Sequence, residues 1–283
     1  MLKKTVRLRY SDKRSIQTTI TIITVLCVVF CLIPLFMTIL NSAKSNYEIR
    51  TSIFAFPKKI NTANYVTAFD AIGGNILSSV LVAVVGGFLR MAFAAVVAYI
   101  FAQKEFMGKE FFFYLYLVMM FVPSMLGTSV LYAFMYKINL IDSYWGMWLP
   151  YIAGGQAGAI FLFRTFFRQQ PKSVIEAAKL DGANDAHIFL LIVVPLAVPI
   201  IIYGFIQGFS SYYNDYLWPS LVIKSQEKIT LMVMLIRKSS IYESNDWGVV
   251  YAMYLISSIP LIVTSGISLK FFSSGGFASG MKL

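Results

Sequence analysis

Residues 143–214 read SYWGMWLPYIAGGQAGAIFLFRTFFRQQPKSVIEAAKLDGANDAHIFLLIVVPLAVPIIIYGFIQGFSSYYN, two long apolar runs separated by one polar island. Ser143 to Phe163 and Ala186 to Asn214 are each long enough to carry an α-helix across a bilayer, which takes roughly 20 apolar residues. Moving outward, stretches free of Asp, Glu, Lys and Arg recur at Ser15 to Ala43, Phe111 to Tyr136 and Trp247 to Leu269, and at Ala71 to Leu89, which continues past Arg90 to Gln103. The pattern predicts an all-α membrane protein with six transmembrane helices. Composition agrees: of 283 residues 58% are hydrophobic and only 13% charged, with a mean hydropathy of +0.70. Soluble domains carry about 25% charged residues.

Two shorter apolar runs, Tyr216 to Ile223 and Ile229 to Ile236, cannot span and read as re-entrant or surface elements. The first long run follows a basic start, as a signal peptide would, but its apolar part is too long and no small-residue cleavage site follows. It is expected to remain as the first helix. The chain then divides into a basic N-terminus (1–14), a first helix (15–43), a core transmembrane domain of five helices (71–271) that includes the polar loop (168–187), and a tail (272–283).

Lys plus Arg outnumber Asp plus Glu by 24 to 13. In a membrane chain such an excess first signals orientation, because cytoplasmic loops collect basic residues, and it gives no reason to expect nucleic acid. Placing the N-terminus inside puts Lys3, Lys4, Arg7, Arg9, Lys13, Arg14, Lys104, Lys109, Arg164, Arg168, Lys172, Lys179, Lys270 and Lys282 in the cytoplasm. Both termini are therefore expected there, and Arg164 to His187 becomes the one substantial cytoplasmic loop. Cys27 and Cys31, four apart in an apolar run, indicate neither a disulfide framework nor a metal site, and a single histidine, His187, excludes a multi-His centre.

Within the loop, Pro171 suits a first helical turn. Val174, Ile175, Ala178 and Leu180 form an apolar stripe opposite Glu176, Lys179 and Asp181. Gly182 can take the left-handed conformation that ends a helix, and Asn184 or Asp185 can cap the next one. A short amphipathic helix rigidly joined to a membrane helix is suited to act as a docking element and a lever.

Glu176-Ala177-Ala178, three residues, Gly182, nine residues, then Ile192-Val193-Val194-Pro195 resembles the EAA signature of permease subunits of binding-protein-dependent ABC importers, with Val194 where that family usually has Leu. Asn214 to Pro219, Asp246-Trp247-Gly248 and the glycine-rich tail from Gly275 to Leu283 resemble its carbohydrate branch, of the maltose-system type. The resemblance implies the type I ABC importer permease fold in a bacterial cytoplasmic membrane. It also implies a second homologous permease as heterodimer partner, two ABC ATPase subunits that hold ATP and Mg, an extracytoplasmic solute-binding protein, and a sugar substrate. No cofactor is implied on this chain. The coupling residues carried over are Glu176, Ala177, Ala178, Leu180, Asp181 and Gly182. Glu176 has a local alternative, as a partner of the helix dipole or of Lys172 or Lys179. In agreement with an external energy source, no phosphate-binding G-x-x-x-x-G-K-[ST] occurs: Gly108-Lys109 is followed by Glu110 and preceded by no glycine at 103.

No Asp or Glu lies within the six runs, which weighs against an ion-coupled carrier or its broken-helix repeats. No H-E-x-x-H or G-x-S-x-G points to an enzyme. An isolated channel would not need the docking loop. The one charge inside a run is Arg90, about 21 Å along a helix from Lys104. It either lines the path of the substrate, inviting an acidic saccharide, or is satisfied by backbone carbonyls or the partner subunit. Tyr213, Asn214 and Trp218, with Tyr212, Asp215 and Tyr216 among them, interleave rings with polar groups as sugar sites do, and equally as interfacial aromatic belts do. Gly154 with Gly158 and Ala94 with Ala98 are spaced for close helix packing.

Overall fold

The computed structural model describes residues 10–243 and 245–273. The expectations for most of the basic start, and for the tail with Met281 and Lys282, fall outside these residues. Among the described residues there is no β-strand. The α-helices are α1 (Tyr10–Ser42), α2 (Asn46–Thr51), α3 (Ala63–Ile72), α4 (Gly74–Gln103), α5 (Lys109–Met119), α6 (Thr128–Lys137), α7 (Tyr144–Gly154), α8 (Gln156–Phe167), α9 (Lys172–Leu180), α10 (Asp185–Ile188), α11 (Val194–Leu196), α12 (Val198–Tyr213), α13 (Leu217–Val222), α14 (Leu231–Tyr242) and α15 (Trp247–Ser273).

Three stretches are long and apolar enough to cross a membrane as single helices: Ile16–Ser42, Gly74–Gln103 and Trp247–Leu269. The other three apolar runs are broken, which uniform apolarity conceals. Residues 111–136 divide into α5 and α6 around Pro123 and a 3-10 turn at Ser124–Gly127. Residues 143–163 divide between α7 and α8 at Gly155. Asp185–Leu196 and Val198–Tyr213 meet at 82°. The last bend has a backbone cause. Pro199 has no N–H to return to the Pro195 carbonyl, and the Ala197 N–H bonds instead to the Val194 carbonyl at 3.0 Å.

The chain forms two compact units, Met1–Ala68 with Ile241–Leu255 and Phe69–Ser240 with Ile256–Leu283. In the first, α1 keeps its apolar side chains exposed, Phe30 and Leu26 among them, together with the free thiols of Cys27 and Cys31. Lys44 is fully buried. Its ammonium donates to Asn41 Oδ1 at 3.0 Å and to the carbonyls of Ser52 and Ile53 at 3.0 and 2.9 Å, so it folds the α1–α2 corner rather than adding a surface charge. Ser45 and Glu48 then cap α2 reciprocally.

The second unit is built around α4, which packs against α7, α8 and α12. Its contact face is small: Gly86, Gly87, Ala94, Ala95 and Ala98 are all buried. Where α4 meets α12, a Cβ on Gly208 would lie 3.3 Å from the Gly87 Cα, so the two backbones touch. Below this crossing, Ala94, Ala98, Phe163, Phe167, Ile188 and Val193 close one core. Arg164 is buried at its edge, donating to Glu110 at 2.5 Å and to the Phe101 carbonyl at 3.2 Å, with its guanidinium 3.6 Å from the Phe113 ring centre.

Asp142, between α6 and α7, is in the left-handed region with φ 59°. Its carboxylate accepts from the Ser225 hydroxyl and from the backbone N–H groups of Ser225 and Lys224, at 3.0 and 3.1 Å for the latter two. These bonds, the Ser225 hydroxyl first, hold its pKa down from 3.8 to about 2. A depressed carboxyl stabilises the fold above its ordinary pKa and loses that contribution as pH falls through the folded value. Asp142→Ala should therefore accelerate amide exchange at Lys224 and Ser225 at neutral pH. In the wild type, protection should begin to fall as the pH drops below 3.8 and be lost by about 2.

Candidate functional site

The polar loop folds as one short helix with defined ends. Pro171 immediately precedes α9, and of the expected apolar stripe Ile175 is buried in the core while Ala178 packs against its edge. Val174 and Leu180 are exposed instead, Leu180 at 90%. A nine-residue helix lying on a core has room for one inward anchor per turn, so half the stripe faces out. Gly182 has φ +82°, the left-handed stop expected of it. Asn184 accepts from the His187 N–H at 2.9 Å and caps α10. Glu176, Ala177, Leu180, Asp181 and Gly182 are all exposed. Among the described residues Glu176 makes no ion pair with Lys172 or Lys179.

Three side-chain bridges fix the segments that flank this helix. Lys104, just after α4, forms an ion pair with Asp185. Gln103 donates to the Phe167 carbonyl at 2.9 Å, and Gln170 to the Val193 carbonyl at 3.0 Å. The last two acceptors lie where α8 ends and where α10 passes into α11, so the flanking helices are pinned at their least regular points.

The second feature is a cavity of about 420 Å³ between α6, α7, α12 and α13. Tyr151 and Tyr212 stack beside it, ring centres 4.0 Å apart and nearly parallel. The Tyr212 hydroxyl donates to the Tyr151 carbonyl at 2.7 Å, and the Tyr151 hydroxyl to Asp215 Oδ2 at 2.8 Å. Trp218 lines the cavity with its indole N–H committed to the Gly146 carbonyl at 3.0 Å.

Of the four residues selected from sequence for the substrate path, only Trp218 lines this cavity. Tyr213 turns away, its hydroxyl donating to the Ser257 carbonyl at 2.8 Å. Asn214 bonds back to the Ser210 carbonyl at 2.8 Å and is exposed. Arg90 is buried behind the wall, with Nε donating to the Gly155 carbonyl at 2.9 Å. Its backbone-carbonyl alternative is thus the geometry present. Asp215 and Tyr212 stood inside the aromatic-polar cluster of the sequence without being selected, and Tyr151 carried no signal of its own.

Residues 94–275 match the family described as the binding-protein-dependent transport system inner membrane component. The chain belongs to this family. Similar members include the arabinooligosaccharides transport system permease protein AraQ of Bacillus subtilis, 28% identical over 97% of this chain and 99% of the relative. Another is the diacetylchitobiose uptake system permease protein NgcG of Streptomyces coelicolor, 30% identical over 83% of this chain and 79% of the relative. Among solved structures, one chain of a bacterial ABC transporter involved in the import of the acidic polysaccharide alginate superposes with a TM-score of 0.80, at 22% identity, over 95% of this chain and all of that one. That likeness establishes the ABC importer permease fold.

In this ABC permease the family match starts at Ala94, so α1, α2 and α3 lie outside it, while α7 to α13 lie within. The spaced pair Gly154 and Gly158 does not form a tight contact within the chain: a Cβ on Gly154 meets nothing within 4 Å, and one on Gly158 only the Met120 side chain at 3.7 Å. Gly155 between them is the tight position. A Cβ there would sit 2.5 Å from Arg90 Nε and 3.0 Å from the Tyr212 hydroxyl. Gly155→Ala is expected to destabilise the permease by about 1–3 kcal/mol, as overpacking of a filled site does. Gly154→Ala should be close to neutral. Thermal unfolding of the two variants in the same detergent compares them directly.

Proposed function

We propose that this chain is one permease subunit of an ATP-driven importer for a sugar or oligosaccharide. It forms half of a translocation pore in a bacterial cytoplasmic membrane, with six membrane passages, some of them broken, and both termini in the cytoplasm. A second, homologous permease completes the pore. Two ABC ATPase subunits bind ATP and Mg in the cytoplasm, and an extracytoplasmic solute-binding protein delivers the sugar. The chain itself carries no catalytic residues. Sugar as the cargo is supported by the arabinooligosaccharides and diacetylchitobiose for which AraQ and NgcG are named and by the ring-and-carboxylate lining of the cavity.

The observation that carries this proposal is α9. It presents Glu176 and Ala177 to solvent while Ala178 packs on the core edge, it is anchored by Ile175, and it is stopped by Gly182 at φ +82°. An exposed Leu180 and an exposed Glu176 beside the exposed Ala177 suit insertion into a cleft on a partner, since a small side chain permits close approach. In the mechanism we infer, ATP-driven closure of the ATPase pair moves α9. Anchoring at Ile175 and the Lys104–Asp185 ion pair make the motion a rigid displacement of α8 and α10, and the 82° bend at Ala197 passes it to α12 and the cavity. Hydrolysis resets the arrangement.

The test is ATP hydrolysis by material that co-purifies with this chain from native membranes, with and without the extracytoplasmic fraction. Wild type is compared with Gly182→Pro, because proline fixes φ near about −65° and cannot replace a residue at +82°. We expect activity that co-purifies, rises with the extracytoplasmic fraction, and loses that rise in the variant. Absence of ATPase from well-folded wild-type material would overturn the importer and favour a channel or an ion-coupled carrier.

A further inference from the structure

The saccharides for which similar permeases and the alginate transporter are named include both neutral and acidic ones, so family membership does not decide the charge of the cargo. The cavity does. We propose that it is a saccharide subsite of this chain, that it takes an uncharged, hydroxyl-rich sugar in preference to a uronate, and that Asp215 is the residue that sets this preference. The proposal rests on the importer function proposed above and deepens it.

Size comes first. At about 420 Å³ the cavity is within the range of small-molecule sites, roughly 300–1,000 Å³. Its lining combines apolar ring surface with very few uncommitted polar atoms, which is how such sites fix orientation. The hydroxyl of Tyr212 and the indole N–H of Trp218 are both spent on backbone carbonyls, at 2.7 and 3.0 Å. These rings therefore present carbon to the cavity, the surface against which the C–H faces of a sugar pack.

Asp215 is different. Oδ2 accepts from the Tyr151 hydroxyl at 2.8 Å and Oδ1 from the Trp218 backbone N–H at 3.4 Å. A carboxylate offers about four lone-pair positions, so each oxygen can accept one bond more. A carboxylate accepts and does not donate, so the ligand has to bring O–H or N–H groups. Ser211, exposed on the same wall, supplies a hydroxyl that can donate or accept.

No lining residue is basic. Arg90 lies behind Gly155 and is engaged by its carbonyl at 2.9 Å. A uronate entering the cavity would meet the carboxylate of Asp215 without a lining cation to offset the repulsion. A neutral sugar would meet only an acceptor for its hydroxyls. This reverses the expectation of an acidic saccharide that Arg90 invites on sequence grounds.

The test uses the intact permease–ATPase assembly in nanodiscs without the binding protein, so that selection by the latter is removed. Binding of arabinotriose and of trigalacturonic acid is measured by isothermal titration at near-neutral pH. We expect the neutral trisaccharide to bind at least about tenfold more tightly than the triuronate. In Asp215→Asn, which retains an acceptor for the Tyr151 hydroxyl, the gap should narrow to within about threefold. Ser211→Phe, which fills the cavity from its exposed wall and leaves the Asp215 bonds in place, should abolish binding of both. Size-exclusion elution of each variant assembly shows that it is folded. If an assembly with binding-protein-stimulated ATPase activity binds the triuronate as well as the neutral sugar, binds neither, or keeps its preference unchanged in Asp215→Asn, the subsite is overturned while the importer stands. If no ATPase assembles with the chain, the importer itself has failed.

Discussion

Close backbone contact along α4 is the constraint on which the larger unit depends. Inside a bilayer, lipid is as apolar as a leucine side chain, so helices associate through packing rather than through removal of apolar surface from water. Helix α4 meets this requirement with Gly86, Gly87, Ala94, Ala95 and Ala98 on its buried face. The contact of Gly87 with Gly208 brings α12 against it, and the alanines receive the large rings of Phe163 and Phe167 from α8. With α7, α8 and α12 all held by one continuous helix, each of them is free to be irregular.

That irregularity is supported chemically. Interrupting a helix in a membrane leaves carbonyls without partners, at a cost of several kcal/mol for each one facing hydrocarbon. Here side chains from neighbouring elements supply the missing donors: Arg90 at Gly155, Gln103 at Phe167 and Gln170 at Val193. The one buried guanidinium on α4 is thereby explained as the donor that satisfies a helix break, with a backbone carbonyl as its polar partner. The same break sets Tyr151 and Tyr212 side by side and opens the space next to them.

How much of this was legible depends on the kind of signal. Runs free of charge located all the apolar segments, because inserting a charge into hydrocarbon is costly whatever the backbone does there. The same insensitivity leaves open which positions break: Pro123 is one of six prolines in or beside the runs that can kink them, and Gly155 passes as an ordinary small residue. The loop was read more closely. Left-handed backbone at Gly182 and the Asn184 cap are local events, decided within three or four residues, and both were expected. Which members of the stripe would face inward was not legible, since Ile175 and Leu180 differ only in what the rest of the chain places against them.

The cavity shows where reading by composition stops. Tyr212 and Tyr213 are chemically identical neighbours, and adjacent positions on a helix point about 100° apart. One ring stacks on Tyr151 beside the cavity, the other bonds to Ser257 on α15. Nothing in the local sequence distinguishes them, because the difference lies in the approach of α7, 61 residues earlier in the chain. Asp215 follows the same logic. Flanked by Asn214 and Tyr216 it reads as an ordinary polar residue at a helix end, and it becomes a specific acceptor only when Tyr151 and Trp218 take one lone pair on each oxygen and leave the others turned to open space.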